Sequence, residues 1–228
     1  MKLLIFDIDA TLLLSGGAGA RALDRAFEEV TGTPDGMEGI RFHGMTDYAI
    51  IRQMGQLHRG EELSREQMDS IRSLYAKYLV PELEHGPGFR VLDGVVALLD
   101  RLTDNHHYHL GLATGNFAET GKMKLRRGEL DHYFHYGGFG SDSEIRPELT
   151  KVAVEKGREH AGAPDLARDS VYVIGDTIYD IRSGNEAGAR TIGVATGSTP
   201  AADLAKEGAY AVMNDLTSIE EFLTIIES

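Results

Sequence analysis

The first apolar run of the chain, Leu3-Leu4-Ile5-Phe6, passes directly into Asp7-Ile8-Asp9-Ala10-Thr11. Two carboxylates one residue apart, followed by a small residue and a hydroxyl, are unusual at the end of a buried strand. At the carboxyl end of a parallel strand they would surround one point with two acids, a hydroxyl and the free N–H groups of a turn. Such a point can grip a divalent cation and a phosphate. Three later segments carry related chemistry. Leu112-Ala113-Thr114-Gly115-Asn116 sets a hydroxyl and a glycine where a second apolar run stops, and glycine lets backbone N–H groups come close to an anion. Ile145-Arg146-Pro147 puts a cation before a proline suited to a first helical turn. Ile174-Gly175-Asp176-Thr177-Ile178-Tyr179-Asp180 brings a second pair of acids just beyond a buried run. Taken singly, each has an ordinary explanation as a helix cap, a local turn or a surface ion pair. In this order, all at strand ends, they point to one site.

The elements that must position these residues can be read from periodicity. Short apolar runs at 3–6, 110–113, 171–174, 191–195 and 210–213 predict buried strands, each followed by Asp, Gly, Thr or Asn. Helical patterns separate them, which predicts an α/β protein with a parallel sheet and a ligand outside the carboxyl ends of the strands. Residues 16–85 differ. Helical spacing at 21–30, 48–57 and 64–79 comes with no convincing strand, and Ser64 with Gln67 forms a capping-box pattern opening the third helix. The breakers at 31–36 and 86–88 interrupt this block, and 95–102 predicts an amphipathic helix returning to the sheet. The expected division is a Rossmann-like core, residues 1–15 and 86–228, and an all-helical insert, residues 16–85.

Composition narrows the function classes. The 228 residues carry a net charge of −13 and no cysteine. The charge disfavours nucleic acid and acidic membranes as partners, and the lack of cysteine removes disulfides, thiolate catalysis and cysteine zinc sites. Asp7 and Asp9 cut the N-terminal apolar run too short for a signal peptide. No apolar stretch approaches the ~18 residues that cross a bilayer. The expectation is a soluble, cytoplasmic protein.

The order acidic pair, Thr-Gly, cation-Pro and Gly-Asp-x-x-x-Asp resembles the haloacid dehalogenase superfamily of phosphotransferases over essentially the whole chain. The helical insert resembles that family's cap, and Gly44-Met45-Thr46-Asp47 resembles the cap segment of its phosphoglycolate-phosphatase-like members. The resemblance implies a covalent nucleophile at Asp7, an acid/base at Asp9, and phosphoryl contacts from Thr114 and Arg146. Ala10, Thr11, Gly115 and Asn116 would line the phosphate site. The resemblance also implies Mg²⁺ held by Asp7, Asp176 and the main-chain carbonyl of Asp9, with Asp180 in support. Charge arithmetic is compatible with this. Two carboxylates ~4 Å apart repel by ~4 kcal/mol at an effective dielectric near 20, so four acids and a phosphate need a divalent cation and Arg146. Oxygen-only ligands favour Mg²⁺ over zinc.

Two positions depart from the family pattern. Ala10 stands where glycine is usual, harmless at negative φ and strained otherwise. Arg146 stands where lysine is usual, with Lys151 and Lys124 as rival cations. The implied activity is hydrolysis of a small phosphorylated metabolite, phosphoglycolate-like or a sugar phosphate. A hexose-phosphate mutase and a catalytically weak binding module are the alternatives, and a monomer or weak dimer is expected. Asp9 argues against a dehalogenase. Lys77, the one lysine between Leu12 and Glu84, lies in an amphipathic helix and argues against a Schiff-base phosphonatase. Arg41, His43, Thr46 and Asp47 fall close together and read either as substrate contacts or as a solvated loop. His106, His107 and His109 read as surface histidines before a strand. Phe117, Met123 and Leu125 read as core, and Tyr179 as packed against the sheet.

Overall fold

The computed structural model describes residues Met1–Ser228. Six parallel strands form one sheet: β1 (Lys2–Phe6), β4 (Tyr108–Thr114), β5 (Tyr136–Phe139), β6 (Val171–Gly175), β7 (Arg190–Val194) and β8 (Ala211–Met213). Their order is β5-β4-β1-β6-β7-β8, so the chain leaves β1 on one side to form β4 and returns to form β6 on the other. The crevice at such a reversal is where open parallel sheets bind ligands.

Side-chain alternation builds a core on each face of the sheet. Leu4 and Phe6 point with Leu110, Leu112, Tyr172 and Ile174 into the larger cluster. Three helices cover it: α4 (Val95–Thr103), α5 (Ala118–Arg127) and α9 (Ile219–Glu227). Leu3 and Ile5 point the other way, with Val171 and Val173, toward Leu149, Ala153 and Val154 of α6 (Arg146–His160). The helices α7 (Ile178–Glu186) and α8 (Ala201–Lys206) complete the set.

The five strands expected from apolar runs all form. β5 is an additional edge strand, Tyr-Gly-Gly-Phe, too poor in apolar side chains to show in the pattern. Its glycine composition has a packing cause, because a Cβ at Gly138 would fall 1.9 Å from the Leu149 carbonyl oxygen of α6.

The segment between β1 and α4 contains α1 (Ala18–Thr31), α2 (Asp47–Arg59) and α3 (Arg65–His85), packed around their own 18-residue apolar cluster. The Ser64–Gln67 capping box forms in both directions. The third helix runs six residues beyond the expected end and carries Pro81 within it. A short antiparallel ribbon, β2 (Leu13–Ser15) with β3 (Phe89–Val91), brackets the insert. The two chain crossings next to it touch: a Cβ at Gly16 would overlap the Pro87 carbonyl oxygen, and Gly16, Gly17 and Gly88 all have positive φ. No helix is long and apolar enough to cross a membrane.

Candidate active site

A cavity of about 340 Å³ lies between the carboxyl ends of β1, β4 and β6 and the helical insert. From the sheet side it receives Asp7, Asp9, Ala10, Thr114, Gly115, Asn116, Arg146, Asp176 and Thr177. The buried Thr11 hydroxyl lies behind the wall, 3.3 Å from Asp176 Oδ1.

Asp7, Asp176 and Asp180 are buried, and one oxygen of each falls within 4.8 Å of the others. Burial and mutual repulsion push Asp7 up to about 7 and Asp176 up to about 8, against which the Arg146 guanidinium acts. Arg146 is itself 8% exposed. Its Nη2 donates to Asp180 Oδ1 and lies 3.3 Å from Asp7 Oδ1, while Nη1 donates to the Gly44 carbonyl of the insert. Lys151 is remote from this, paired with Glu148 on the surface at 3.0 Å. Asp180 has both oxygens committed, one to Arg146 and the other to the N–H and hydroxyl of Thr177 in a capping box at the start of α7. Asp7 and Asp176 are the members of the trio that face the cavity. Three clustered, buried, oxygen-only ligands with raised protonation fit a hard divalent cation better than a structural role, since uncompensated burial of three acids is costly.

Asp9 is held differently. Both its oxygens accept from Lys124 Nζ, at 2.9 and 2.7 Å, and Asn116 Nδ2 donates to it at 2.8 Å. Lys124 also donates to Asn116 Oδ1 at 2.7 Å and is only 4% exposed. Asn116 ties this network to Thr114 Oγ1 at 2.8 Å. The Asp9 carboxylate therefore points at a lysine, outside the acidic trio. Lys124 went unread as a partner of Asp9 because Met123-Lys124-Leu125 looks like core helix; a lysine inside that apolar stripe was the available signal. Replacing Lys124 with Met is expected to lower kcat by about one to two orders of magnitude, by releasing a proton-transfer group from its position. Steady-state kinetics alongside a melting curve would check this, and an unchanged kcat would leave Lys124 a purely structural residue.

Ala10 adopts φ +60°, the left-handed region that L residues rarely occupy. Its N–H is bonded to the Leu13 carbonyl and its own carbonyl accepts from Thr196, so the turn is held from both sides. The strain that alanine costs here should be relieved by Ala10→Gly, raising unfolding free energy by about 1 kcal/mol. Denaturant titration measures this directly, and a loss of stability would contradict it. Thr196 opens a loop that sequence reading also missed. Its neighbour Gly197 lies so close to Asp176 that a Cβ would collide with the carboxylate.

The insert supplies the opposite wall, with Asp47 and His43 among its lining residues. Asp47 is buried and accepts from the Phe117 N–H at 2.8 Å and from Thr120 Oγ1 at 3.3 Å, docking the start of α2 onto the start of α5. Burial pushes Asp47 up to about 6, opposed first by the charge of Lys124. Thr46 caps α2, donates to the Glu144 carbonyl and does not line the cavity. Arg41 is exposed and also lies outside it. Of the four, His43 and Asp47 reach the cavity, and both Asp47 and Thr46 spend their side chains on joining insert to core. Met45 and Thr46 rest on Gly115, where a Cβ would meet the Met45 carbonyl at 2.2 Å.

Two smaller expectations change. Tyr179 does not pack on the sheet; it is 44% exposed and its ring lies over Gly44, where the insert leaves no room for a side chain. His109 is a half-buried residue within β4, its ring 5.8 Å from that of His160, whereas His106 and His107 are exposed in the preceding turn. Phe117 is core, but it belongs to the cluster of the insert while Leu125 belongs to that of the sheet.

Comparison with known proteins bears on the fold and the lineage. Among curated proteins none matches the chain significantly. Among solved structures, a hydrolase from Pseudomonas syringae is similar with 25% identity and a TM-score of 0.72, each chain covered completely. CbbY from Rhodobacter sphaeroides, solved in complex with phosphate, is similar in fold with 17% identity and a TM-score of 0.74 over 96% of each chain. A predicted phosphoglycolate phosphatase from Haemophilus somnus has 18% identity and a TM-score of 0.70 over 98% of each. The family described as haloacid dehalogenase-like hydrolase matches residues 4–194, a span that runs from the first strand through both acidic pairs, Thr114 and Arg146. The chain belongs to the haloacid dehalogenase-like hydrolases.

Proposed function

We propose that the protein is a Mg²⁺-dependent phosphatase that hydrolyses a small phosphate monoester through an aspartyl-phosphate on Asp7. The observation that carries this reading is the meeting of Asp7, Asp176 and Asp180 with the buried Arg146 at the floor of a cavity also lined by Asp9 and Thr114. Asp7 and Asp176 would hold the ion, with Asp180 supporting from behind; when bound, Mg²⁺ neutralises charge on the carboxylates and on the phosphoryl oxygens. Arg146 and the Thr114 hydroxyl orient the phosphoryl group for in-line approach by a carboxylate oxygen of Asp7. Asp9, swung from Lys124 toward the leaving oxygen, donates a proton to it and later accepts one from the water that cleaves the acyl phosphate. The helical insert acts as a cap that covers the substrate and excludes bulk water. With its net charge of −13 the protein has no reason to engage nucleic acid, and it would act on a soluble metabolite in the cytoplasm, as a monomer or weak dimer.

The test is turnover of p-nitrophenyl phosphate with Mg²⁺ and its loss with EDTA. Absence of Mg²⁺-dependent turnover would leave a binding module instead of an enzyme. Protonation gives a second readout. Asp7 and Asp176 are raised to about 7 and about 8 from an ordinary value of 3.8. Between about pH 4 and 8 the metal-free folded state therefore holds more protons than the unfolded chain, so its stability falls as pH rises through that window. Mg²⁺ competes with those protons. The rise in melting temperature on adding Mg²⁺ should thus be larger at pH 8 than at pH 6, and the reverse order would argue against a carboxylate site.

A further inference from the structure

The wall of the cavity opposite the acids is apolar. The insert contributes Leu23, Met37, Phe42, Met45, Ile50 and Tyr75, and no lysine or arginine of the insert reaches the cavity. The two cations that do line it are already paired, Arg146 with Asp7 and Asp180, and Lys124 with Asp9. The carboxylate of Asp47 is spent on Phe117 and Thr120. His43 is then the one insert side chain of the lining that could answer a charge on the substrate.

These facts bear on the part of the substrate beyond phosphorus. A carboxylate there would enter a cavity that already holds Asp7, Asp9, Asp47 and Asp176, with no free arginine or lysine to meet it. A hexose would bring several hydroxyls against Leu23, Met37 and Ile50, and each hydroxyl losing water without a partner costs binding. An alkyl or aryl group loses nothing on the same surface and gains from burial.

Resting on the phosphatase reading, we infer that the alcohol portion of the substrate is uncharged and largely apolar: the protein cleaves alkyl or aryl phosphate monoesters in preference to phosphoglycolate or hexose phosphates. In the reaction the ester P–O bond breaks, the alcohol leaves carrying one proton, and the phosphoryl group passes through Asp7 to water, releasing inorganic phosphate. No co-reactant beyond water is needed.

The experiment compares esters that all leave as primary alcohols, so that leaving-group reactivity does not decide the order: n-butyl phosphate, benzyl phosphate, phosphoglycolate and glucose 6-phosphate, with Mg²⁺ present. Acetyl phosphate, whose acyl group is too small to need the apolar wall, reports phosphatase chemistry independently. The expected result is kcat/KM at least tenfold higher for the butyl and benzyl esters than for the other two. Equal or higher kcat/KM for phosphoglycolate or glucose 6-phosphate, with acetyl phosphate hydrolysed, would overturn the inference and leave the phosphatase reading intact. No hydrolysis of any ester or of acetyl phosphate would overturn both. Met37→Lys, which puts a cation on the half-buried wall, should raise the phosphoglycolate-to-benzyl ratio by at least tenfold. Phe42→Lys, on the partly exposed rim, should move it the same way and is the variant to read if Met37→Lys does not fold. An unchanged ratio in a folded variant would refute the assignment of the wall to the leaving group.

Discussion

Asp7→Asn is expected to lower kcat by roughly four orders of magnitude or more, while making the metal-free protein more stable at pH 8. The first effect follows from the loss of the nucleophile, since the amide oxygen cannot form the acyl phosphate and removal of a covalent nucleophile is among the costliest catalytic changes. The second follows from where Asp7 sits. It is 7% exposed, raised to about 7 by burial and by Asp180 and Asp9, and only partly answered by Arg146 at 3.3 Å. An acid whose folded-state value is raised stabilises the fold least once pH has passed that value, so a neutral amide of the same shape removes a cost that is fully present at pH 8. Opposite signs in activity and stability distinguish a group retained for chemistry from one retained for structure. Single-turnover kinetics and denaturant melts on the same preparation would check the pair, and a destabilised Asp7→Asn would count against the placement of Asp7 among unanswered acids.

Arg146→Ala should be the second severe change, here with both effects in the same direction. Removing one charged donor to a phosphoryl group costs about two to three orders of magnitude in kcat by analogy with loss of a single oxyanion donor. The same substitution strips the buried Asp7–Arg146–Asp180 cluster of its cation. Breaking a buried pair from one side costs ~3–5 kcal/mol. Mg²⁺ should restore part of that stability by neutralising the same carboxylates, but not the rate. Lys151→Ala, on the surface with Glu148, should change kcat by less than about twofold. Near-normal kcat in Arg146→Ala would remove Arg146 from the phosphoryl site.

The local parts of the site were legible because strand ends are marked by local pattern. Leu3-Leu4-Ile5-Phe6 can only be a buried strand, and whatever follows it must emerge at the sheet's carboxyl edge, which places Asp7 and Asp9 there. The same holds for Thr114 after β4 and Asp176 after β6. The insert was legible as helices because Ser64 and Gln67 announce a start and the apolar spacing persists. β5 was not legible, because its two glycines carry no apolar signal and are there to admit α6. Nor was the split among Arg41, His43, Thr46 and Asp47, since which side of a loop faces inward depends on what it docks against.

By itself, then, the sequence determined the sheet, the helical insert, the family resemblance and the residue types gathered at the strand ends, because alternation, capping and turn chemistry act over a few neighbours. The tertiary structure decided which charge answers which. Lys124 reaches Asp9 across 115 positions, Arg146 reaches Asp180 across 34, and Thr11 reaches Asp176 across 165. It also decided that the wall facing the acids is apolar, a property of side chains from three separate insert segments that meet only when their helices pack. Such pairings depend on distances through space, where electrostatics and burial operate, and no local pattern records them.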